Sequence, residues 1–85
     1  MATWYESSLL TEELQEQFTA RWMLAGGPKD AAVFAVYDPK AKRMVCYINP
    51  AMATLFPDLV EAAASVPCEP QSGLPLLIGD QHIVE

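Results

Sequence analysis

Apolar residues near the start of the chain recur at every fourth position, the spacing of one face of an α-helix. The set consists of Leu10, Leu14, Phe18 and Trp22, and Ala25 extends it. Ser8 or Thr11 can cap the first turn, and Gly26-Gly27-Pro28 ends the pattern because proline cannot continue the backbone ladder. The pattern predicts an amphipathic helix over about residues 9–25, with its apolar side against a core.

Two apolar runs follow, at residues 31–37 and 44–48, and both are rich in residues that favour strands. Between them lie Asp38-Pro39, which form turns, and the basic residues Lys40, Lys42 and Arg43. This arrangement predicts a β-hairpin with a basic loop. Because both runs are apolar on both faces, we expect at least one strand to be covered on two sides, by helices or by a partner.

Asn49-Pro50 predicts the start of a second helix, since asparagine caps free backbone N–H groups and proline fits the first helical position. A second apolar stripe passes through Pro57 and consists of Met52, Leu55, Phe56, Leu59 and Ala63. We therefore expect a bent helix over about residues 50–65. After a breaker-rich loop at residues 67–73, strands at residues 74–78 and 81–84 are predicted to form a terminal hairpin.

The predicted order is α-β-β-α-β-β, which makes residues 1–85 one small α+β domain. We expect a three- or four-stranded, largely antiparallel sheet with two helices packed on it. The chain has 85 residues, 52% of them apolar, which is enough for one core but for little else. So small a core leaves open a homodimer or a tight complex with another protein.

The charge of the chain limits its partners. Eleven acidic residues against five basic ones give a net charge of −6, which repels nucleic-acid phosphates and anionic lipids. We therefore expect a protein partner, favoured by a basic surface, and neither nucleic acid nor a membrane. The chain lacks a basic-apolar leader pattern and an apolar stretch of about 18 residues, so we predict a cytoplasmic protein.

No group of residues has the spacing typical of catalysis or of metal binding. His82 is the only histidine and has no carboxylate at helical spacing, while Cys46 and Cys68 lack the CxxC pattern. Gly26-Gly27-Pro28-Lys29 follows a helix and lacks the Lys-Ser/Thr ending of a phosphate-binding loop. We therefore predict a non-enzymatic protein with no catalytic, cofactor-binding or metal-binding residues.

Five residues are candidates for contact with a partner. Trp4 and Tyr5 are large aromatics that the first helix does not require, and such residues are typical interface anchors, although they can equally cover the domain's own sheet. Glu12, Glu13 and Glu16 lie off the apolar stripe and should be exposed, either as a binding surface or as a solvated helix face. Together they predict an accessory, inhibitor or regulatory protein that binds a larger, basic-surfaced partner.

Two segments resemble known families. Residues 33–38, 44–51 and 55–56 resemble the opening hairpin and first helix of PAS sensor domains, which implies that Asp38 closes a strand and Asn49 caps a helix. Residues 73–80 are similar to the proline-preceded strand and hairpin of thioredoxin-like proteins. Both resemblances are partial, since the later PAS strands and the thioredoxin cysteine pair have no counterpart. They imply an alternative function, a small-ligand or redox sensor in which Cys46 or Cys68 responds.

Overall fold

The strands of this protein form one antiparallel sheet, in a computed structural model that describes residues 3–69 and 73–79. The elements are β1 (Trp4–Ser7), α1 (Glu12–Leu24), β2 (Val33–Asp38), β3 (Arg43–Ile48), α2 (Pro50–Leu55), α3 (Pro57–Ala62), β4 (Val66–Cys68) and β5 (Leu76–Ile78). The strand order is β4-β1-β3-β2-β5, and every neighbouring pair is antiparallel. The predicted class, a small α+β domain, is confirmed.

The predicted strand count and element order are wrong in detail, because the described part of the sheet has five strands. β1 was not expected, yet it lies between β3 and β4 in the sheet. β4 was assigned to a loop because of Pro67, but it is an edge strand, where proline is tolerated. The predicted final strand at residues 81–84 lies outside the described residues, as does His82.

The first helix was predicted with nearly the right bounds. It begins at Glu12, one residue after Thr11, whose Oγ1 accepts a hydrogen bond from the backbone N–H of Leu14 at 3.2 Å. It ends at Leu24, and the backbone then turns through Gly26 at a φ of 91°, a left-handed conformation that suits glycine. Thr11, not Ser8, is therefore the cap.

The predicted bent helix is two separate helices. Phe56 lies between α2 and α3 with φ −132° and ψ 63°, which is outside the helical region. Pro57 has no N–H to donate, so it ends the hydrogen-bond ladder of α2 and serves as the first residue of α3. Pro50 has the same position in α2, directly after its cap Asn49.

The main core lies between the helices and one face of the sheet. Its largest fully buried side chains come from α1, α2 and the two central strands, and they are Phe18, Met52, Val33 and Ile48. Leu59 of α3 belongs to the same cluster. Because residues of all three described helices meet in one cluster, these helices cover the same face of the sheet.

A second, smaller cluster lies on the opposite face of the sheet. Phe34 and Tyr47 are buried there and face each other across β2 and β3. The ring of Trp4 stacks on the ring of Phe34, with 5.7 Å between the centroids. Since Val33 and Phe34 are both buried, β2 is covered on two sides, as its continuous apolar run predicts.

Candidate functional site

Three hydrogen-bonded links fix β1, α2, α3 and the segment between α1 and β2 relative to one another. The Oδ1 of Asn49 accepts from the backbone N–H groups of Ala32 and Met52, both at 3.0 Å, while its Nδ2 donates to the carbonyl of Asp30 at 2.6 Å. The indole Nε1 of Trp22 donates to the carbonyl of Pro28 at 3.0 Å. The hydroxyl of Ser7 donates to a backbone carbonyl at the end of α3.

These segments border an open, concave site of about 840 Å³, here called the cleft. Its walls come from β1, the segment before β2, α2, α3 and the turn after α3. The residues that matter for its chemistry are Tyr5, Asp30, Thr54, Val60, Glu61 and Ser65. The volume lies within the usual range for small-molecule sites, roughly 300–1,000 Å³.

The lining of the cleft is apolar with a few oxygen-bearing groups. Pro50, Leu55 and Val60 supply apolar surface, whereas Asp30 and Glu61 supply two carboxylates, and no described lining residue is basic. The Oγ of Ser65 is buried and has no hydrogen-bond partner in the described part of the chain. A buried hydroxyl without a partner is unfavourable.

A second concave surface runs along α1 and is here called the α1 groove. It has a volume of about 520 Å³ and is lined by Glu12, Gln15, Glu16, Thr19, Ala20 and Met23. Met23 is 66% exposed, so its side chain is accessible to a partner. Glu13 is not among the residues that line the groove.

The structure places the five candidate contact residues in three locations. Glu12, Glu13 and Glu16 are exposed on α1, as the position of the apolar stripe predicts. Trp4 and Tyr5 are half-buried and lie on opposite faces of the sheet, because neighbouring residues of a strand alternate. Trp4 covers Phe34, while Tyr5 packs against the main core and lines the cleft. The structure does not join the two aromatics into one patch.

The two cysteines are unpaired and lie on different faces of the sheet. Burial raises the pKa of the Cys46 thiol. Burial, and then the nearby carboxylate of Glu6, raise the pKa of the Cys68 thiol. Because the thiolate is the nucleophile, a raised pKa makes both side chains less reactive near neutral pH.

We expect alkylation of both thiols by iodoacetamide at pH 7.5 to be slower in the folded chain than in guanidinium, most of all for the buried Cys46. The folded pKa values are raised, so the thiolate fraction at this pH is smaller in the folded state. Intact-mass spectrometry over time measures the rates, and the mass without reductant should equal the mass with it. Equal alkylation rates in the two states would contradict the burial of the thiols.

Within residues 3–69 and 73–79, no three His, Cys, Asp or Glu side chains come together as metal ligands. Over the same residues, no helix has the length and apolar character needed to cross a membrane.

Comparisons with family models, with curated proteins and with solved structures found no match to this chain. The fold thus defines a small α+β domain, and its function is inferred from the cleft and the α1 groove. Sequence reasoning identified the glutamates of the α1 groove but missed Asp30, Glu61 and Ser65. These three residues are isolated polar positions in the sequence, and no motif connects them.

Proposed function

We propose that this chain is a non-enzymatic accessory, inhibitor or regulatory protein that binds a basic surface of a larger protein through the acidic side of α1. The observation that carries the proposal is that Glu12, Glu13 and Glu16 are exposed and form no ion pair with a described residue. In the described part of the chain the one ion pair joins Arg21 and Asp58, at 2.7 Å, and it includes none of these glutamates. Their charge is therefore directed to solvent.

The α1 groove supports this proposal because it combines charge with an apolar contact. Carboxylates on a concave surface concentrate the electrostatic potential and attract a basic partner from a distance. Met23 lies in the same groove, and the flexible thioether of methionine adapts to irregular partner surfaces. Glutamate steering followed by contact with Met23 is the binding mode that we propose.

The proposal includes a cytoplasmic location. Cys46 and Cys68 are unpaired, which suits a reducing compartment. A net charge of −6 supports a basic protein as the partner, rather than nucleic acid or an anionic membrane. A homodimer through α1 is disfavoured by like charge, so any self-association should use another surface.

The test compares Glu12→Lys with Glu13→Lys. Both changes alter the net charge by the same amount and both lie in the first turn of α1, but only Glu12 lines the α1 groove. With a partner captured by the wild-type chain, we expect Glu12→Lys to slow association by about three- to tenfold at low salt. Glu13→Lys should slow it less, and neither should change dissociation strongly. Stopped-flow association at two salt concentrations measures these rates.

Folding of both variants must be checked by circular dichroism, because each reversal removes a favourable interaction with the helix dipole worth about 0.3–1 kcal/mol. This cost is matched between the two variants, so it does not produce the expected difference. Association rates equal to wild type for both, at both salt concentrations, would remove α1 from the interface. Trp4, Tyr5 and the basic loop at residues 40–43 would then be the next surfaces to test.

A second candidate function is the small-ligand module that the PAS-like segment implies. The observation that favours it is the cleft, which has the size of a small-molecule site. A redox sensor in which Cys46 or Cys68 responds receives no support, since the pKa of each thiol is raised.

A further inference from the structure

We propose that the cleft binds a small organic cation, specifically a primary alkylammonium ion with a short apolar chain. The inference does not depend on a protein partner, because the residues that line the cleft and those that line the α1 groove are different. It assigns a ligand class to a site that carries no motif in the sequence.

The shape and lining of the cleft fit such a molecule. Its walls are formed largely by apolar atoms of α2, α3 and β1, with Leu55 and Val60 among them. Apolar surface of this kind binds an alkyl chain by removing it from water, at roughly 25 cal/mol per Å² buried. The volume of about 840 Å³ is ample for a chain of several carbons.

The charge of the cleft selects a cation. Asp30 and Glu61 both line it, and neither forms an ion pair with a described residue. The hydrogen bond that Asp30 accepts from Asn49 uses its backbone carbonyl, so no described hydrogen bond occupies the carboxylate. Since no described lining residue is basic, an anionic ligand would meet uncompensated repulsion, whereas an ammonium ion can pair with a carboxylate of the lining.

A hydroxyl group of the cleft supplies an acceptor for the N–H groups of the ligand. An alkylammonium carries three N–H donors, so it needs acceptors as well as negative charge. Thr54 lines the cleft, and its Oγ1 donates to the carbonyl of Pro50 at 2.8 Å, which leaves its lone pairs free to accept.

A metal ion is the poorer occupant for this site. Ca²⁺ takes about six to eight oxygen ligands, and Mg²⁺ demands octahedral coordination that waters or phosphates complete. No described group of three metal-ligating side chains exists in the cleft, and much of its lining is apolar. Apolar walls are useful to an alkyl chain and of no use to a hydrated metal ion.

The test is a titration of the ¹⁵N-labelled chain with hexylamine, which is protonated at pH 7, followed by ¹H-¹⁵N NMR. We expect saturable shifts at residues that line the cleft, such as Asp30, Thr54 and Glu61. Hexan-1-ol has the same chain without the charge and should bind about tenfold more weakly, since hydrogen bonds to charged groups are the stronger ones. Hexanoate should produce no saturable shifts.

Variants separate the two cleft carboxylates from the general negative charge of the protein. Asp30→Asn and Glu61→Gln should each weaken hexylamine binding about three- to tenfold, by loss of one charged acceptor. Glu69→Gln is the matched control, because Glu69 is exposed and does not line the cleft, and it should leave affinity unchanged. Asp30 and Glu61 are exposed as well, so these substitutions should leave the fold intact.

Four results would overturn the proposal. The first two are equal affinity for hexylamine and hexan-1-ol, and chemical shifts of cleft residues that do not saturate. The third is an equal loss of hexylamine affinity for Glu61→Gln and Glu69→Gln. The fourth is tighter binding of N-acetyl-lysine methylamide than of hexylamine. The last result would assign the cleft to a lysine side chain of a protein partner and not to a free amine.

Discussion

Phe18→Ala is expected to lower the free energy of unfolding by about 3–5 kcal/mol. Phe18 is 0% exposed and is the residue of α1 that lies deepest in the main core. Its ring meets the ring of Phe56 edge-on, with 6.5 Å between the centroids, and so joins α1 to the junction of α2 and α3. Loss of the ring leaves a cavity that borders both α1 and the junction of α2 and α3. Guanidinium unfolding followed by far-UV circular dichroism measures the change.

Leu24→Ala is the matched control for this substitution. Leu24 lies on the same helix and is 87% exposed, so its truncation should change the free energy of unfolding by no more than about 0.5 kcal/mol. If Phe18→Ala is unfolded in water, Phe18→Leu gives a measurable intermediate. A loss below about 1 kcal/mol for Phe18→Ala would contradict the assignment of Phe18 to the core.

Asn49→Ala is the second substitution with a large expected effect, a loss of about 2–4 kcal/mol. The amide of Asn49 makes three hydrogen bonds, to Ala32, Met52 and Asp30. Alanine would remove the cap of α2 and would also leave the buried N–H of Ala32 without a partner. The same denaturant unfolding measures the loss.

Asn49→Asp tests which of these bonds matters. Aspartate keeps an oxygen acceptor for the N–H groups of Ala32 and Met52, but it loses the donor to the carbonyl of Asp30. We expect it to be destabilised less than Asn49→Ala. A change within about 0.5 kcal/mol for Asn49→Ala would show that water replaces the amide without cost.

The elements with a long repeating pattern were predictable from the sequence. α1 has four apolar residues at a helical spacing and a capping threonine, and the β2–β3 hairpin has two apolar runs around a turn. The start of α2 was also predictable, since Asn49-Pro50 combines a cap with a proline at the first helical position. In each case the residues that decide the structure are neighbours in the chain.

The elements that were missed depend on partners far along the chain. β1 and β4 have four and three residues, too few for a periodic pattern, and they form strands because they pair with each other and with β3. The split at Phe56 was missed for a similar reason. Pro57 can either bend a helix or begin one, and the packing of Phe56 into the core decides between the two.

The candidate surfaces show the same limit. Exposure of Glu12, Glu13 and Glu16 was predictable, because the apolar stripe of α1 leaves them on its outer side. The cleft was not predictable, since its lining comes from positions as distant as Tyr5 and Ser65. The stacking of Trp4 on Phe34, two strands away in the sheet, also depends on strand order and register, which the sequence does not display.

The two-sided burial of β2 has a consequence for the chain before it folds. Residues 31–37 form an uncharged, proline-free segment of high strand propensity, which is the kind of sequence that self-associates when exposed. It is flanked by Lys29-Asp30 on one side and by Asp38-Pro39-Lys40 on the other, and such charges and prolines act as gatekeepers against aggregation. Its partner β3 follows after a short turn, so pairing closes only a small loop and conceals the segment early.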